Sequence, residues 1–287
     1  MTSSPTNAGP GRDKRPAHGF PTAARVSPFS CLSLAAGGML FLLLTLPLLT
    51  LTLRAISERG WETTSTGAVA QAITLSFVTT GVTALLTMLL GTPLAYSLAT
   101  KRFPFSRVAE VFIELPIVLP PAVAGLALLL MFGRRGWLGS TLDDAGISLA
   151  FTTTAVVIAQ LFVSAPFFIR SAQNGFAAVP AEIIQAARVD GASEWRLFRE
   201  IMVPLAQRSL AAGLILSWAR AMGEFGATIL FAGSLQGRTQ TMPLLIYNVV
   251  ERDLGAAMWA GVILVIIALA ALVISQFLRR GESLTII

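Results

Sequence analysis

Four stretches of the chain run for 23 residues or more without a charged side chain, and they constrain the fold more than any other feature. They are residues 31–53, 68–100, 147–169 and 256–278. A helix needs about 20 consecutive apolar residues to cross the hydrocarbon core of a membrane. The sequence therefore predicts an integral membrane protein with helical spans.

Two further stretches are apolar except for one or two charges. One of them contains Pro116, Pro120 and Pro121, which are expected to kink or interrupt its helix. We predict an all-α membrane protein with six transmembrane helices. The first is residues 31–54, and the other five lie in a domain of residues 68–279, at about 68–100, 111–133, 147–169, 209–233 and 256–278.

The composition excludes several classes of protein. Hydrophobic residues make up 54% of the chain and charged residues 13%, whereas soluble domains carry about 25% charged residues. With one cysteine, Cys31, and one histidine, His18, the chain has neither a disulfide framework nor a Cys/His metal site. Its two lysines, Lys14 and Lys101, do not follow glycine in a phosphate-binding loop, so we expect no nucleotide hydrolysis by this chain.

The basic residues predict the orientation in the membrane. Of the 21 Lys and Arg residues, fourteen lie in the N-terminal tail, in the loops after the second and fourth predicted spans, and at the C-terminus. Cytoplasmic loops carry such an excess, so both termini and the loop of residues 170–208 are expected in the cytoplasm. The same argument explains the net charge of +6 without nucleic acid binding.

Residues 1–30, rich in proline, are expected to be a disordered cytoplasmic tail.

The loop of residues 170–208 is long and is not of low complexity. It is expected to hold two short amphipathic helices. The first runs over residues 181–189, with Pro180 at its start and Gly191 just after its end, which are positions that these residues favour.

The second helix is expected near residues 194–202, with Ser193 as its N-cap and Pro204 as its end. Trp195 belongs to its apolar face. An element this small cannot bury such a face alone. The residues by themselves leave two interpretations open, a helix lying among the lipid headgroups or a docking surface for a cytoplasmic subunit.

Residues 185–192 read Gln-Ala-Ala-Arg-Val-Asp-Gly-Ala, and residues 201–204 read Ile-Met-Val-Pro. This pattern resembles the cytoplasmic EAA loop of permease subunits of bacterial ABC importers, with Gln185 in place of the usual Glu and Val203 in place of Leu. Other segments are similar to the molybdate permease subfamily, whose close relatives are sulfate/thiosulfate and tungstate permeases. These segments are residues 91–96, 115–121, 133–136, 223–228, 231–233 and 239–244.

The resemblance implies a type I ABC importer permease in the bacterial inner membrane, forming the translocation pathway for an oxyanion. Molybdate is the expected substrate, with sulfate, thiosulfate or tungstate as alternatives. The implied partners are a second copy of the chain, two cytoplasmic ATPase subunits that bind ATP and magnesium, an extracytoplasmic oxyanion-binding protein, and membrane lipid. No cofactor is expected in the chain itself.

In the family, the loop inserts into a groove on the ATPase subunit. We add Glu182 to the matched positions because it places a carboxylate one turn before Gln185. The residues expected to couple the chain to the ATPase are Glu182, Gln185, Ala186, Ala187, Asp190, Gly191, Ala192, Trp195 and Pro204.

Arg220 and Glu224 are charged residues inside the fifth predicted span, one helical turn apart and therefore on one face. Ionisable residues within spans usually face the bundle interior or an aqueous path. Two interpretations are open, a gate or pathway lining that includes Phe225 and Gly226, or a mutually satisfied pair that fixes helix packing. Because the two charges largely cancel, we expect a weakly selective pathway.

Two other classes of protein were weighed. A six-span secondary transporter often contains repeated halves, and no repeat is evident between residues 31–133 and 147–278. A membrane-embedded enzyme would need clustered His, Cys or carboxylate residues. The only carboxylates within the predicted spans, Glu114 and Glu224, lie on separate helices with no His or Cys nearby.

Overall fold

A computed structural model of the chain describes residues 28–63, 65–101 and 103–280, and within these ranges every regular element is a helix. The chain divides into two compact units between Leu49 and Thr50. In the first unit the structure describes the beginning of α1 (Pro28–Ser57), a leucine-rich helix. The predicted tail of residues 1–30 lies almost entirely outside the described residues.

Short connections join the helices that follow in the second unit. These helices are α2 (Gly60–Thr63), α3 (Thr66–Ala99), α4 (Ser106–Val118), α5 (Pro121–Phe132), α6 (Gly139–Asp144), α7 (Thr153–Ala177), α8 (Ala181–Val189), α9 (Glu194–Arg196), a π-helical turn (Leu197–Met202), α10 (Val203–Met222), α11 (Gly226–Phe231), α12 (Met242–Val250) and α13 (Leu254–Arg280).

Five helical stretches are long and apolar enough to span a membrane: Leu32–Ser57, Thr66–Ala99, Thr153–Ala177, Glu194–Met222 and Leu254–Val273. The pair α4–α5 is a sixth candidate if its two bent halves count as one span. The prediction of an all-helical protein with several membrane spans is thus confirmed within the described residues.

Helix α7 forms the centre of the second unit and has buried side chains along its whole length. Its C-terminal half packs against the end of α3, the beginning of α10 and the segment that contains α8. Its N-terminal half packs against α5 and α11. With 25 residues at about 1.5 Å each, α7 is about 37 Å long. The bundle therefore has an α8 end and an opposite end, roughly one membrane thickness apart.

Hydroxyl side chains line the buried face of α3. Ser76, Thr79, Thr80, Thr83 and Thr87 are all buried, and their spacing of three or four residues places them on one side of the helix. The Thr83 hydroxyl donates to Gln160 Oε1 of α7 at 3.2 Å, and the Ser76 hydroxyl accepts the Met242 amide of α12 at 2.9 Å. Hydrogen bonds of this kind join helices where water is excluded.

Two of the predicted spans are interrupted. The break in residues 111–133 confirms the prediction from their prolines, whereas the sequence analysis did not predict the break in residues 209–233. Residues 111–133 contain α4 and α5, which meet at an angle of 115°. The break lies at Leu119 and Pro120, where both residues are extended, whereas Pro116 remains inside α4. Residues 209–233 contain the end of α10, an irregular turn at residues 223–225, and α11.

Helices α7 and α10 cross closely through small residues. The Ser171 hydroxyl donates to the Ser209 carbonyl at 2.7 Å, and the Ser217 hydroxyl donates to the Ser164 carbonyl at 2.9 Å. A Cβ atom added at Gly213 would lie 2.6 Å from Ser171 Cβ. The absence of a side chain at Gly213 therefore permits this contact.

We predict that Gly213→Ala destabilises the protein, because α10 must move away from α7 and lose these contacts. Overpacking of this kind costs about 1–3 kcal/mol. Thermal unfolding of the purified protein in detergent measures the effect. Gly81→Ala is the matched control, since a Cβ at Gly81 meets nothing within 4 Å, and it should leave the unfolding temperature unchanged or raise it slightly. Equal unfolding temperatures for the two variants would contradict the interpretation.

Candidate functional site

The segment that follows α7 is a folded element whose first part is α8. Its helix ends at Val189, and Gly191 follows the C-cap residue Asp190 with a φ of +80°, which is unfavourable for a residue with a side chain. The Gly191 amide donates to the Arg188 carbonyl at 3.1 Å, and the Ala192 amide donates to the Ala187 carbonyl at 2.9 Å. This pair of bonds is a Schellman motif. The predictions for α8 and for Gly191 are confirmed.

The second part differs from the prediction because the helix does not end at Pro204. Ser193 caps α9 through its hydroxyl, which accepts the Arg196 amide at 3.3 Å. The chain then continues through the π-helical turn into α10. Pro204 lies at the beginning of α10, directly after the π-helical turn, whose different hydrogen-bond pattern accommodates the missing amide donor.

Aromatic packing holds this element against the bundle. The Phe198 ring centroid lies 4.9 Å from that of Tyr96 on α3, 6.2 Å from that of Phe176 on α7, and 5.8 Å from that of Trp195. Leu197 is fully buried beside them. The element thus packs on α3, α7 and α10 together. The contact with α3 was not predicted from the sequence.

The opposite surface of the element is exposed. We call it the α8 surface and define it by seven of the residues assigned to coupling: Glu182, Gln185, Ala186, Asp190, Gly191, Ala192 and Trp195. Ala192 is half-buried, and the other six are exposed. Of the remaining two assigned residues, Ala187 is buried and Pro204 is exposed at the beginning of α10.

Apolar side chains on and beside the α8 surface are open to the surroundings. Val189 is 87% exposed, Trp195 67% and Ile183 40%. Two ion pairs that the sequence analysis missed support the surface, Arg188 with Glu194 at 3.4 Å and Arg196 with Glu200 at 2.8 Å. Both pairs are exposed, so each contributes little to stability.

The charged pair inside the bundle is a second candidate site. Arg220 Nη1 lies 2.7 Å from Glu224 Oε2, and the side chain of Glu224 is 1% exposed whereas that of Arg220 is 30% exposed. The other carboxylate oxygen, Oε1, accepts the Ala227 amide at 2.8 Å. Glu224 therefore links the last turn of α10 to the first turn of α11.

The interruption between α10 and α11 packs directly against the interruption between α4 and α5. A Cβ atom at Gly226 would lie 2.5 Å from Pro121 Cβ, and one at Gly125 would lie 2.7 Å from the Ala227 carbonyl oxygen. Gly226, assigned to the pathway from the sequence, is thus a close-approach residue between α11 and α5.

Phe225, the remaining residue of the predicted pathway, is half-buried. Its ring centroid lies 5.0 Å from that of Tyr247 on α12. The sequence analysis found Arg220 and Glu224 from their spacing but missed Tyr247, Pro121 and Ala227, which are distant along the chain or act through the backbone.

These features define a multi-pass helical membrane protein of the permease class. The chain belongs to the family of binding-protein-dependent transport system inner membrane components, which matches residues 88–280.

Curated relatives support this membership. The chain is 41% identical over 211 residues to a probable transport system permease protein of Clostridium pasteurianum, covering 73% of this chain and 74% of that protein. It is 40% identical over 234 residues to a molybdenum transport system permease protein of Mycobacterium tuberculosis, covering 82% and 88%. A probable sulfate transport system permease protein of Chlorokybus atmophyticus is 33% identical over 250 residues, covering 85% and 87%.

A solved structure shares the fold. A chain of a bacterial alginate ABC transporter, crystallised with its alginate-bound periplasmic protein, superposes with a TM-score of 0.72 at 15% sequence identity, covering 90% of this chain and 96% of that chain. The expected resemblance to ABC importer permeases is confirmed by the family match and by this fold.

We predict that Glu224→Ala destabilises the protein by about 1.5–3 kcal/mol, the scale of a hydrogen bond to a charged group. The change removes the partner of Arg220 and the acceptor of the Ala227 amide. Arg220→Gln/Glu224→Gln should be less destabilising than Glu224→Ala, because it leaves no unpaired charge. Thermal unfolding in detergent measures both, with Glu251→Ala, an exposed carboxylate, as the control. If Glu224→Ala were as stable as the wild type but altered transport, the Arg220–Glu224 pair would act as a gate and not as a packing contact.

Proposed function

We propose that this chain is the permease subunit of an ATP-driven importer and forms the translocation pathway for molybdate. The similarity to molybdenum permeases over most of both chains carries the choice of substrate. The lower identity of the sulfate permease makes sulfate the second candidate, with tungstate and thiosulfate as further alternatives.

The energy for import comes from outside this chain in this proposal. Two cytoplasmic ATPase subunits bind ATP and magnesium, and the chain itself holds no cofactor. Two copies of the chain form the pathway between them, and an extracytoplasmic binding protein delivers the oxyanion. The excess of Lys and Arg in alternate connections supports an orientation with the α8 end and both termini in the cytoplasm.

The α8 surface is the docking site for the ATPase in this proposal. Its apolar side chains, Ile183, Val189 and Trp195, are exposed at an end of the bundle, where they suit a groove on a protein partner. Because the element is packed on α3, α7 and α10, a force applied to the α8 surface acts on several spans together. If α8 instead lay among the lipid headgroups, its packing on α3, α7 and α10 would transmit no force from a partner.

Arg220, Glu224, Phe225 and Gly226 lie beside the translocation pathway in this proposal. The exposed part of Arg220 lies next to the interruption between α10 and α11, and its charge is balanced by Glu224. A balanced pair attracts an oxyanion weakly, so discrimination between oxyanions resides in the binding protein.

Uptake by proteoliposomes tests the proposed function. Vesicles are prepared with this chain in the membrane, the ATPase and ATP in the lumen, and the binding protein outside. They should accumulate labelled molybdate only when the lumen contains ATP. An excess of sulfate should not displace molybdate from the binding protein, in which this proposal places the discrimination between oxyanions. If sulfate or tungstate were taken up in preference to molybdate, that oxyanion would be the substrate instead. Uptake driven by a proton gradient without ATP would contradict the assignment to an ATP-driven importer.

We predict that Gly191→Leu uncouples ATP hydrolysis from transport, because the positive φ disfavours a side chain and the added side chain stands on the α8 surface. Molybdate uptake per ATP hydrolysed should fall severalfold, whereas ATP hydrolysis itself continues. Gly146→Leu is the matched control.

Gly146 has a φ of +79°, and like Gly191 it has open space around the position of a Cβ atom, but it belongs to the turn that precedes α7. Both variants therefore carry the same type of backbone strain. Full coupling in Gly191→Leu, or equal loss in the two variants, would count against docking through the α8 surface.

A further inference from the structure

A cavity of about 460 Å³ lies at the end of the bundle opposite α8. Its walls come from the end of α5, the segment that leads into α7, and the loop that follows α11. The volume falls within the range of small-ligand sites, about 300–1,000 Å³. None of the residues that line it belongs to the sites described above.

Two arginines, Arg134 and Arg238, are the charged residues that line this cavity. In the described part of the chain Arg238 makes no ion pair, and the partner of Arg134 is Asp143, 3.9 Å away, with both side chains exposed. An exposed ion pair at that distance is weak, so Asp143 offsets little of the positive charge of Arg134. The cavity therefore carries a net positive charge, in contrast to the balanced pair of Arg220 and Glu224.

Hydroxyl groups complete the polar lining. Ser148 and Thr152 line the same cavity. The Thr152 hydroxyl accepts the Ala155 amide at 3.2 Å and donates to the Leu149 carbonyl, so the hydroxyl that can donate to a ligand is that of Ser148. Guanidinium and hydroxyl groups are donors to anionic oxygens, and the planar fork of arginine fits two oxygens of one anion. This combination suits an oxyanion better than a neutral or cationic ligand.

Backbone contacts hold the walls in place. Phe151 adopts a φ of +61°, which is rare for an aromatic residue, and its amide donates to the Phe231 carbonyl at 3.2 Å. The Thr153 hydroxyl donates to the Arg238 carbonyl at 2.8 Å. The loop that carries Arg238 is thus fixed to the beginning of α7, and the strained conformation of Phe151 is maintained by its surroundings.

We propose that this cavity is a receiving site for a tetrahedral oxyanion, occupied after delivery at the extracytoplasmic face and before passage through the bundle. The inference rests on the proposed function for its direction of transport. The length of α7 places the cavity about one membrane thickness from the α8 surface, so the two sites lie on opposite sides of the membrane.

The dimensions of the site predict weak and poorly selective binding. A cavity of this volume holds a tetrahedral oxyanion together with water, so few of its oxygens contact protein directly. The two arginines supply attraction, and the Ser148 hydroxyl can rotate to donate to the anion in many orientations. Molybdate, tungstate and sulfate should therefore compete with one another at this site.

Equilibrium binding of labelled molybdate to the permease–ATPase complex in lipid nanodiscs, without the binding protein, tests the proposal. Wild-type complex should bind saturably, and unlabelled sulfate should compete. Arg134→Gln/Arg238→Gln should raise the Kd at least about tenfold, the effect of losing about 1.4 kcal/mol. Arg135→Gln is the matched control, because Arg135 is the exposed neighbour of Arg134 and does not line the cavity, and it should change the Kd less than about twofold.

The rival occupant is a carboxylate of the binding protein. In that case the double variant weakens attachment of the binding protein, with or without its oxyanion, and leaves direct molybdate binding unchanged. That result overturns the proposal, as does non-saturable binding in the wild type. Unfolding temperatures of the variants equal to that of the wild type exclude misfolding as the cause of a lost signal.

The uptake assay separates this inference from the proposed function. If the wild type imports molybdate while the double variant binds it normally, the receiving site is wrong and the function stands. If the cavity binds oxyanions through Arg134 and Arg238 but no oxyanion is imported with ATP, the function is wrong and the site remains an anion site.

Discussion

The need to satisfy every backbone polar group within a membrane governs this structure. Helices meet that need by themselves, but an interrupted helix does not. The described part of the chain has two such interruptions, at Leu119 and Pro120 and at residues 223–225. They pack against each other through Gly226 and Pro121. Glu224 contributes an acceptor for the backbone of α11 and is itself neutralised by Arg220. The charged pair within the bundle is therefore inseparable from the broken helices.

Helix α7 contrasts with these interrupted spans. It is continuous over 25 residues, buried along its length, and joined to α10 by small residues and serine hydroxyls. A displacement at the α8 surface therefore moves α7 as one body. The points at which the second unit can change shape are the interruptions between α4 and α5 and between α10 and α11, where no helical hydrogen bond has to be broken.

Sequence reasoning predicted what depends on local chemistry. The helical spans followed from uncharged runs, α8 and its end followed from Pro180 and Gly191, and the pairing of Arg220 with Glu224 followed from a spacing of four residues. It failed at Pro204, because a proline signals a break only when the preceding turn cannot rearrange, and here a π-helical turn precedes it. It had no means of finding Tyr96 beside Phe198, or Arg134 beside Arg238, since tertiary packing alone brings these residues together.

The distribution of positive charge along the bundle follows the requirements of import. An oxyanion that met a strong, unbalanced positive site midway would be trapped there, because tight binding in the pathway slows release. The unbalanced arginines, Arg134 and Arg238, lie instead at the end opposite α8, whereas the arginine within the bundle is paired with Glu224 at 2.7 Å. Attraction is thus concentrated where an anion would enter and reduced where it must move on. In the proposed function, the direction of net movement depends on the state of the helices, which docking of the ATPase at the α8 surface controls.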